Sequence, residues 1–107
     1  ETVEALANLD KIAATPGLDG LFVGPSDLSI TLSKGAGIDR MGKKTLKAME
    51  KVAKAARANG KVAGAFAGSA ESVSAYIGLG FQFLAAAVDV DPLQWGASQF
   101  RESLGKV

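Results

Sequence analysis

Cysteine and histidine are both missing from the 107 residues. Without cysteine there is no disulfide framework, no thiolate nucleophile and no cysteine zinc site, and a reducing compartment is compatible with the chain. Without histidine neither a Ser-His-Asp triad nor an imidazole switch can be built from it. Charge of one sign is also lacking: 12 Lys plus Arg stand against 11 Asp plus Glu, a net +1. No strong field therefore advertises nucleic acid or an acidic membrane as a partner. No run approaches the roughly 18 apolar residues that would span a bilayer, and the first residues lack the basic-then-apolar profile of a signal peptide. These absences point to a cytoplasmic location. What remains is 48 % hydrophobic with only 3 prolines, too apolar for a disordered tail. Any chemistry must rest on carboxylates, hydroxyls, amines, backbone groups or a bound ion.

The chain opens without Met on a helical pattern, Glu1-Thr2-Val3-Glu4-Ala5-Leu6, so its start is expected to be a cut. Val3, Leu6, Leu9, Ile12 and Ala13 recur at three- and four-residue steps and predict one amphipathic helix over Val3–Ala14, stopped by Pro16-Gly17. Leu21-Phe22-Val23, closed by Gly24-Pro25, reads as a buried strand. The polar segment Ser26–Arg40 reads as a loop with one short helical turn. Leu46, Met49, Val52, Ala53 and Ala56 then mark a helix over about Gly42–Asn59, with Lys43, Lys47, Lys51 and Lys54 opposite and Gly60 as the stop. Val62–Ala67 is a second strand. Ser69 caps a helix that ends at Gly80, and Phe81–Val88 is a third strand. Asp91-Pro92 predicts a cap and first helical position, with Leu93, Gly96, Phe100 and Leu104 as the inner stripe of a last helix.

Strict alternation of helices with near-continuous apolar strands predicts an α/β architecture, three parallel strands alternating with four helices. Three parallel strands leave two open edges, which natural sheets avoid; a larger sheet or barrel is expected around them.

Ligands of such folds bind at the C-terminal strand ends. Here these are Gly24-Pro25-Ser26-Asp27, Phe66-Ala67-Gly68-Ser69 and Val88-Asp89-Val90-Asp91. Glu1, directly before a helix, occupies the same kind of position. The Gly-Pro turn can present the Ser26 and Asp27 amides to an anion, or Asp27 can simply cap the turn. Glu1 and Asp27, one helix and one strand apart, fall on neighbouring strand tips roughly 4.8 Å apart. Their mutual repulsion would be relieved by a proton or a divalent cation; a helix-start role for Glu1 is the plainer alternative. Asp91 is explained by capping, and Asp89 either fixes its loop or touches substrate. Gly37–Thr45 approaches the phosphate-binding pattern G-x-x-x-x-G-K-[ST], but Lys44 stands where the hydroxyl belongs. No lysine lies within the strands, and Lys61 precedes the second strand at the wrong end for amine catalysis.

Gly20-Leu21-Phe22-Val23-Gly24-Pro25-Ser26-Asp27-Leu28-Ser29 resembles the signature of the HpcH/HpaI aldolase and citrate lyase family. Glu1-Thr2, Gly60–Gly64, Leu79–Ala85 and Val88-Asp89 extend that resemblance over essentially the whole chain. It implies a (β/α)8 TIM barrel of about 250 residues, of which 1–107 would be the C-terminal portion and the N-terminal half would be absent. It implies a class II aldolase that makes or breaks a carbon–carbon bond in 4-hydroxy-2-oxo acids through a metal-stabilised pyruvate enolate, with pyruvate and an aldehyde as partners. A divalent ion (Mg2+, Mn2+, Co2+ or Zn2+) would be held by Glu1 and Asp27, the amides around Ser26 and Asp27 would take the substrate carboxylate, and Phe66 and Val88 would line the apolar side. The family's general base and carboxylate-binding arginine belong to the absent half, and relatives assemble as dimers to hexamers, so a homo-oligomer is expected. Ile30–Gly37 differs from the Gly-His-Pro-Gly loop of better-known members, and Ala86-Ala87-Val88-Asp89 from their Val-Gly-Val-Asp. A silent barrel fragment and a nucleotide-binding module are the competing readings.

Overall fold

Thr2 begins the fold as a helix cap: its backbone is extended and its hydroxyl oxygen accepts the Ala5 amide at 3.0 Å. The computed structural model describes residues 1–106. α1 (Val3–Ala7) and α2 (Leu9–Ala13) replace the single helix expected over this stretch. The division falls at Asn8, at φ −104° and ψ 14°, whose side-chain amide donates to the Glu4 carbonyl at 2.9 Å. Short polar side chains compete for helical carbonyls in this way.

β1 (Gly20–Val23), β2 (Val62–Phe66) and β3 (Phe83–Ala85) form one parallel sheet in the order β1-β2-β3. Val23 pairs with Ala65, and Phe66 with Ala85, so the C-terminal strand ends lie side by side. α3 (Pro25–Leu32) and α4 (Lys43–Ala58) connect β1 to β2, α5 (Ala70–Leu79) connects β2 to β3, and α6 (Val90–Leu104) closes the described chain. Among the described residues the count is six helices rather than four, because Asn8 divides the first and α3 is added.

α3 is a correction to the loop expected over Ser26–Arg40. Pro25 opens the helix with φ already set, and buried Leu28 and Pro25 anchor it on the core. Leu28 and Leu32 are a helical i, i+4 pair rather than part of an alternation. The helix ends with Lys34 in the left-handed region at φ 55°, where the Gly35 amide donates to the Ile30 carbonyl at 2.9 Å. α4 ends the same way through Gly60, at φ 66°, where glycine carries no steric penalty.

Val23, Ala63 and Ala65 face the helices and pack with Met49, Val52, Ala53 and Ala56 of α4 into the core, which Tyr76 and Phe81 extend. The opposite face is open. Phe22 and Phe83 meet edge to face there at 6.1 Å, and both are more than half exposed, at 53 % and 61 %. A Cβ on Gly64 would stand 2.9 Å from the Phe22 ring, so the small residue lets the two rings close over β2. The strands are apolar on both faces as expected, but helices cover only one.

The third strand is shorter than the expected Phe81–Val88. Phe81 turns into the core before pairing begins, and Ala86–Val88 run past the end of β2. The last helix differs more. Its expected inner stripe is exposed, with Leu93 at 72 %, Phe100 at 67 % and Leu104 at 57 %, and α6 buries no residue. The radius of gyration of 16.9 Å exceeds the about 13 Å of a compact chain of this size. Among the described residues no helix is long and apolar enough to cross a membrane.

Candidate functional site

Gly24 follows β1 directly and is the N-cap of α3. Having no side chain, it cannot cap the helix, and the Ser26 and Asp27 amides have no hydrogen-bond acceptor among the described residues. Leu28 is the first amide satisfied, donating to the Gly24 carbonyl at 3.0 Å. The strand end therefore presents two N–H donors at the positive end of a helix, an arrangement suited to a carboxylate. What the sequence predicts as a Gly-Pro turn is the first turn of α3, with the same amides exposed.

Glu1 reaches this point from the start of the chain. Its Oε1 accepts the Gly24 amide at 2.5 Å. A Cβ built on Gly24 would lie 2.6 Å from Glu1 Oε1 and 3.2 Å from Asp27 Oδ2. Both carboxylates thus border one small space that the absence of a side chain at Gly24 keeps clear. The Asp27 carboxylate makes no hydrogen bond to the described residues, and the second Glu1 oxygen is likewise unengaged. Among the described residues no group of three or more His, Cys, Asp or Glu side chains gathers for a metal. The donor set is two carboxylates, all oxygen, which fits a hard divalent cation that fills its remaining positions with water or substrate oxygens.

Ser26 lies beside this space, half-buried, and its Oγ accepts the Arg40 Nε at 2.7 Å. Nothing in the sequence pattern marks Arg40 directly, which lies within the near-miss phosphate loop Gly37–Thr45. The structure removes that loop as a nucleotide site: it follows helix α3 rather than a strand, and the Thr45 hydroxyl is buried on the Asp39 carbonyl at 2.8 Å. The signal for Arg40 was indirect, in Ser29, Thr45 and Tyr76, polar side chains on core-facing positions that need backbone partners.

Phe66 ends β2 on the open face of the sheet, partly buried, with its ring edge 3.0 Å from where a Cβ on Gly68 would be. Val88 follows β3 and is exposed, at 47 %. The two aspartates there exchange their expected roles. Asp89, not Asp91, is the N-cap of α6, accepting the Val90 amide at 2.9 Å. Asp91 sits inside the first turn and accepts the Val88 amide at 3.0 Å, which moves Pro92 past the first helical position. Helix α6 starts two residues early because the pair braces the turn from both sides. Lys61 lies at the opposite end of β2, its ammonium donating to the Thr15 carbonyl, away from the rim.

The sequence model of the HpcH/HpaI aldolase/citrate lyase family matches residues 1–94. A hydroxypyruvate/pyruvate aldolase of Rhizorhabdus wittichii is 38 % identical over 99 residues, covering 92 % of this chain and 39 % of that protein. A 4-hydroxy-2-oxo-heptane-1,7-dioate aldolase of Klebsiella pneumoniae is 36 % identical over 97 residues, covering 91 % of this chain and 36 % of that protein. Among solved structures, an HpcH/HpaI aldolase/citrate lyase family protein from Burkholderia cenocepacia superposes with a TM-score of 0.84 at 31 % identity, over 97 % of this chain and 40 % of its own. The chain spans about two fifths of the length of the curated relatives it matches.

Proposed function

The chain belongs to the HpcH/HpaI aldolase/citrate lyase family, and from that premise we propose that it is the C-terminal part of a metal-dependent barrel aldolase. The reaction is cleavage or formation of the C3–C4 bond of a 4-hydroxy-2-oxo acid, giving pyruvate and an aldehyde. The observation that carries this reading is the convergence of the Glu1 and Asp27 carboxylates on the space beside Gly24.

In this reading Glu1 and Asp27 hold one divalent ion of the magnesium, manganese, cobalt or zinc kind, which when bound supplies a Lewis acid for the 2-oxo group. The Gly24 amide fixes the Glu1 carboxylate before any ion arrives, so little side-chain order has to be created on binding. The Ser26 and Asp27 amides receive the substrate carboxylate, their charge complement being set by the start of α3. Phe66 and Val88 give the methylene end of the substrate an apolar wall that excludes water. Asp89 stays in its turn as the cap of α6 rather than meeting substrate, and Asp91 holds the Val88 amide. The general base and a further arginine come from the part of the barrel outside this chain. The exposed stripe on α6 supports assembly with other copies, as a dimer or a larger ring.

The test is cleavage of a 4-hydroxy-2-oxo acid by the complete barrel that carries this chain. EDTA abolishes it and Mn2+ restores it. Activity that survives chelation, or an enzyme trapped by borohydride in the presence of pyruvate, overturns the metal-dependent reading.

A further inference from the structure

Arg40 is exposed, yet the Asp39-Arg40 backbone is held by side chains from three helices. Ser29 of α3 accepts the Asp39 amide at 3.1 Å, Thr45 of α4 donates to the Asp39 carbonyl at 2.8 Å, and Tyr76 of α5 donates to the Arg40 carbonyl at 3.3 Å. All three anchoring side chains are buried, at 3 %, 3 % and 0 % exposure. Three helices thus fix one dipeptide, although no side chain of that dipeptide enters the core.

The side chain that this anchoring aims is a guanidinium at the strand ends. Its Nε donates to Ser26 Oγ at 2.7 Å, at the tip of β1. Its Nη1 lies 3.5 Å from the position of a Cβ on Gly68, beyond the tip of β2. Among the described residues no carboxylate lies within 4.0 Å of it. A surface arginine with no function would gain entropy by moving freely. This one is held by a neutral hydroxyl through one nitrogen, and its terminal N–H groups have no anion.

We infer that Arg40 is a specificity-determining residue that binds a carboxylate at the end of the substrate remote from the metal, on the aldehyde-derived half. This rests on the aldolase reading proposed above. Glu1 and Asp27 set one end of the substrate beside Gly24, and Arg40 lies from Ser26 towards Gly68, one strand further along the rim. A substrate running across the β1 and β2 tips, past Phe66, meets the guanidinium with its far end. Planar forked donors match a carboxylate better than a hydroxyl.

The experiment compares two 4-hydroxy-2-oxo acids of equal length, one ending in a carboxylate and one in a hydroxymethyl group, in the complete, metal-loaded barrel. The wild type prefers the carboxylate-ended substrate in kcat/KM. Arg40→Gln lowers that preference by about ten- to a hundredfold, the loss expected for a charge-assisted contact. Arg40→Lys recovers part of it, since a point charge remains without the fork. An unmoved ratio between the two substrates, whether both rates fall together or neither does, overturns the inference while leaving the aldolase reading standing. A wild type that cleaves neither substrate, with any divalent metal, sinks the aldolase reading and the inference with it. A parallel fall in affinity for pyruvate alone would move Arg40 to the 2-oxo acid end and reject the assignment made here.

Discussion

Glu1 and Gly24, 23 positions apart in the chain, are joined by a 2.5 Å hydrogen bond from the glycine amide to the carboxylate. The bond spans a helix pair and a strand, and it turns a residue at the very start of the chain into part of the β1 tip. It also explains why residue 24 has no side chain.

A methyl group at Gly24 would meet Glu1 Oε1 at 2.6 Å and Asp27 Oδ2 at 3.2 Å. The carboxylates are the flexible partners, so they yield and the backbone stays. Gly24→Ala should leave the circular dichroism spectrum unchanged and weaken Mn2+ binding by about ten- to a hundredfold. Titration calorimetry on the complete barrel checks this; undiminished affinity would separate the ion from this space.

Tyr76 should contribute to an alkaline loss of stability. Burial pushes its phenol above the ordinary value of 10.0, outweighing the opposing effects of Ser72 and Arg40. The folded state therefore holds the proton more tightly than the unfolded one. The corresponding stability is fully present below pH 10 and is lost as the pH rises through the folded value. Ionisation also removes the donor to the Arg40 carbonyl. In Tyr76→Phe the fall in urea midpoint above about pH 10 should shrink relative to wild type, and stability at neutral pH should drop by about 1 kcal/mol. An identical alkaline profile in both proteins would assign the fall to other groups.

Met49 lies at the centre of the helix-facing core with 0 % exposure. Met49→Ala should cost about 2–5 kcal/mol, because α4 cannot collapse onto the void while both of its ends are held. The measurement is the urea midpoint, and a loss below the cost of an ordinary surface change would mean that α4 is not the principal cover of the sheet.

The apolar stripe of α6 gives a prediction about assembly. Leu93, Phe100 and Leu104 lie on one side of the helix and are exposed, at 72 %, 67 % and 57 %, a patch more usual for an interface than for free solvent. Leu93→Lys combined with Phe100→Lys should reduce the molar mass of the complete barrel in light scattering to that of a smaller assembly. A mass unaffected by two buried-interface charges would show that α6 is covered within its own barrel.

Local pattern read most of the elements correctly, for identifiable reasons. α4 is a 16-residue helix with apolar residues on one side and lysines on the other, and its limits agree with the sequence to within one residue. Ser69 and Gly80 bracket α5 as a serine cap and a left-handed glycine should, with Gly80 at φ 98°. The failures are equally specific. Leu28 and Leu32 lie among Ser and Thr residues, which conceal a helical pair in a polar segment. The apolar run at Phe81–Val88 implies a long strand, but a strand lasts only as long as its neighbour, and β2 ends at Phe66.

The residues themselves carried α4, α5, the three strands, their parallel arrangement and the strand ends where chemistry belongs, because periodicity, caps and breakers act within a few positions. Glu1 and Asp27 were already legible as neighbours on adjacent strand tips; tertiary structure alone decided that the Glu1 carboxylate takes the Gly24 amide, and that Arg40 is aimed along the rim through Ser29, Thr45 and Tyr76. Those contacts cross up to 36 positions of sequence. They exist only because sheet order and helix packing bring distant polar groups to the same end of the strands, where each buried donor or acceptor must find a partner.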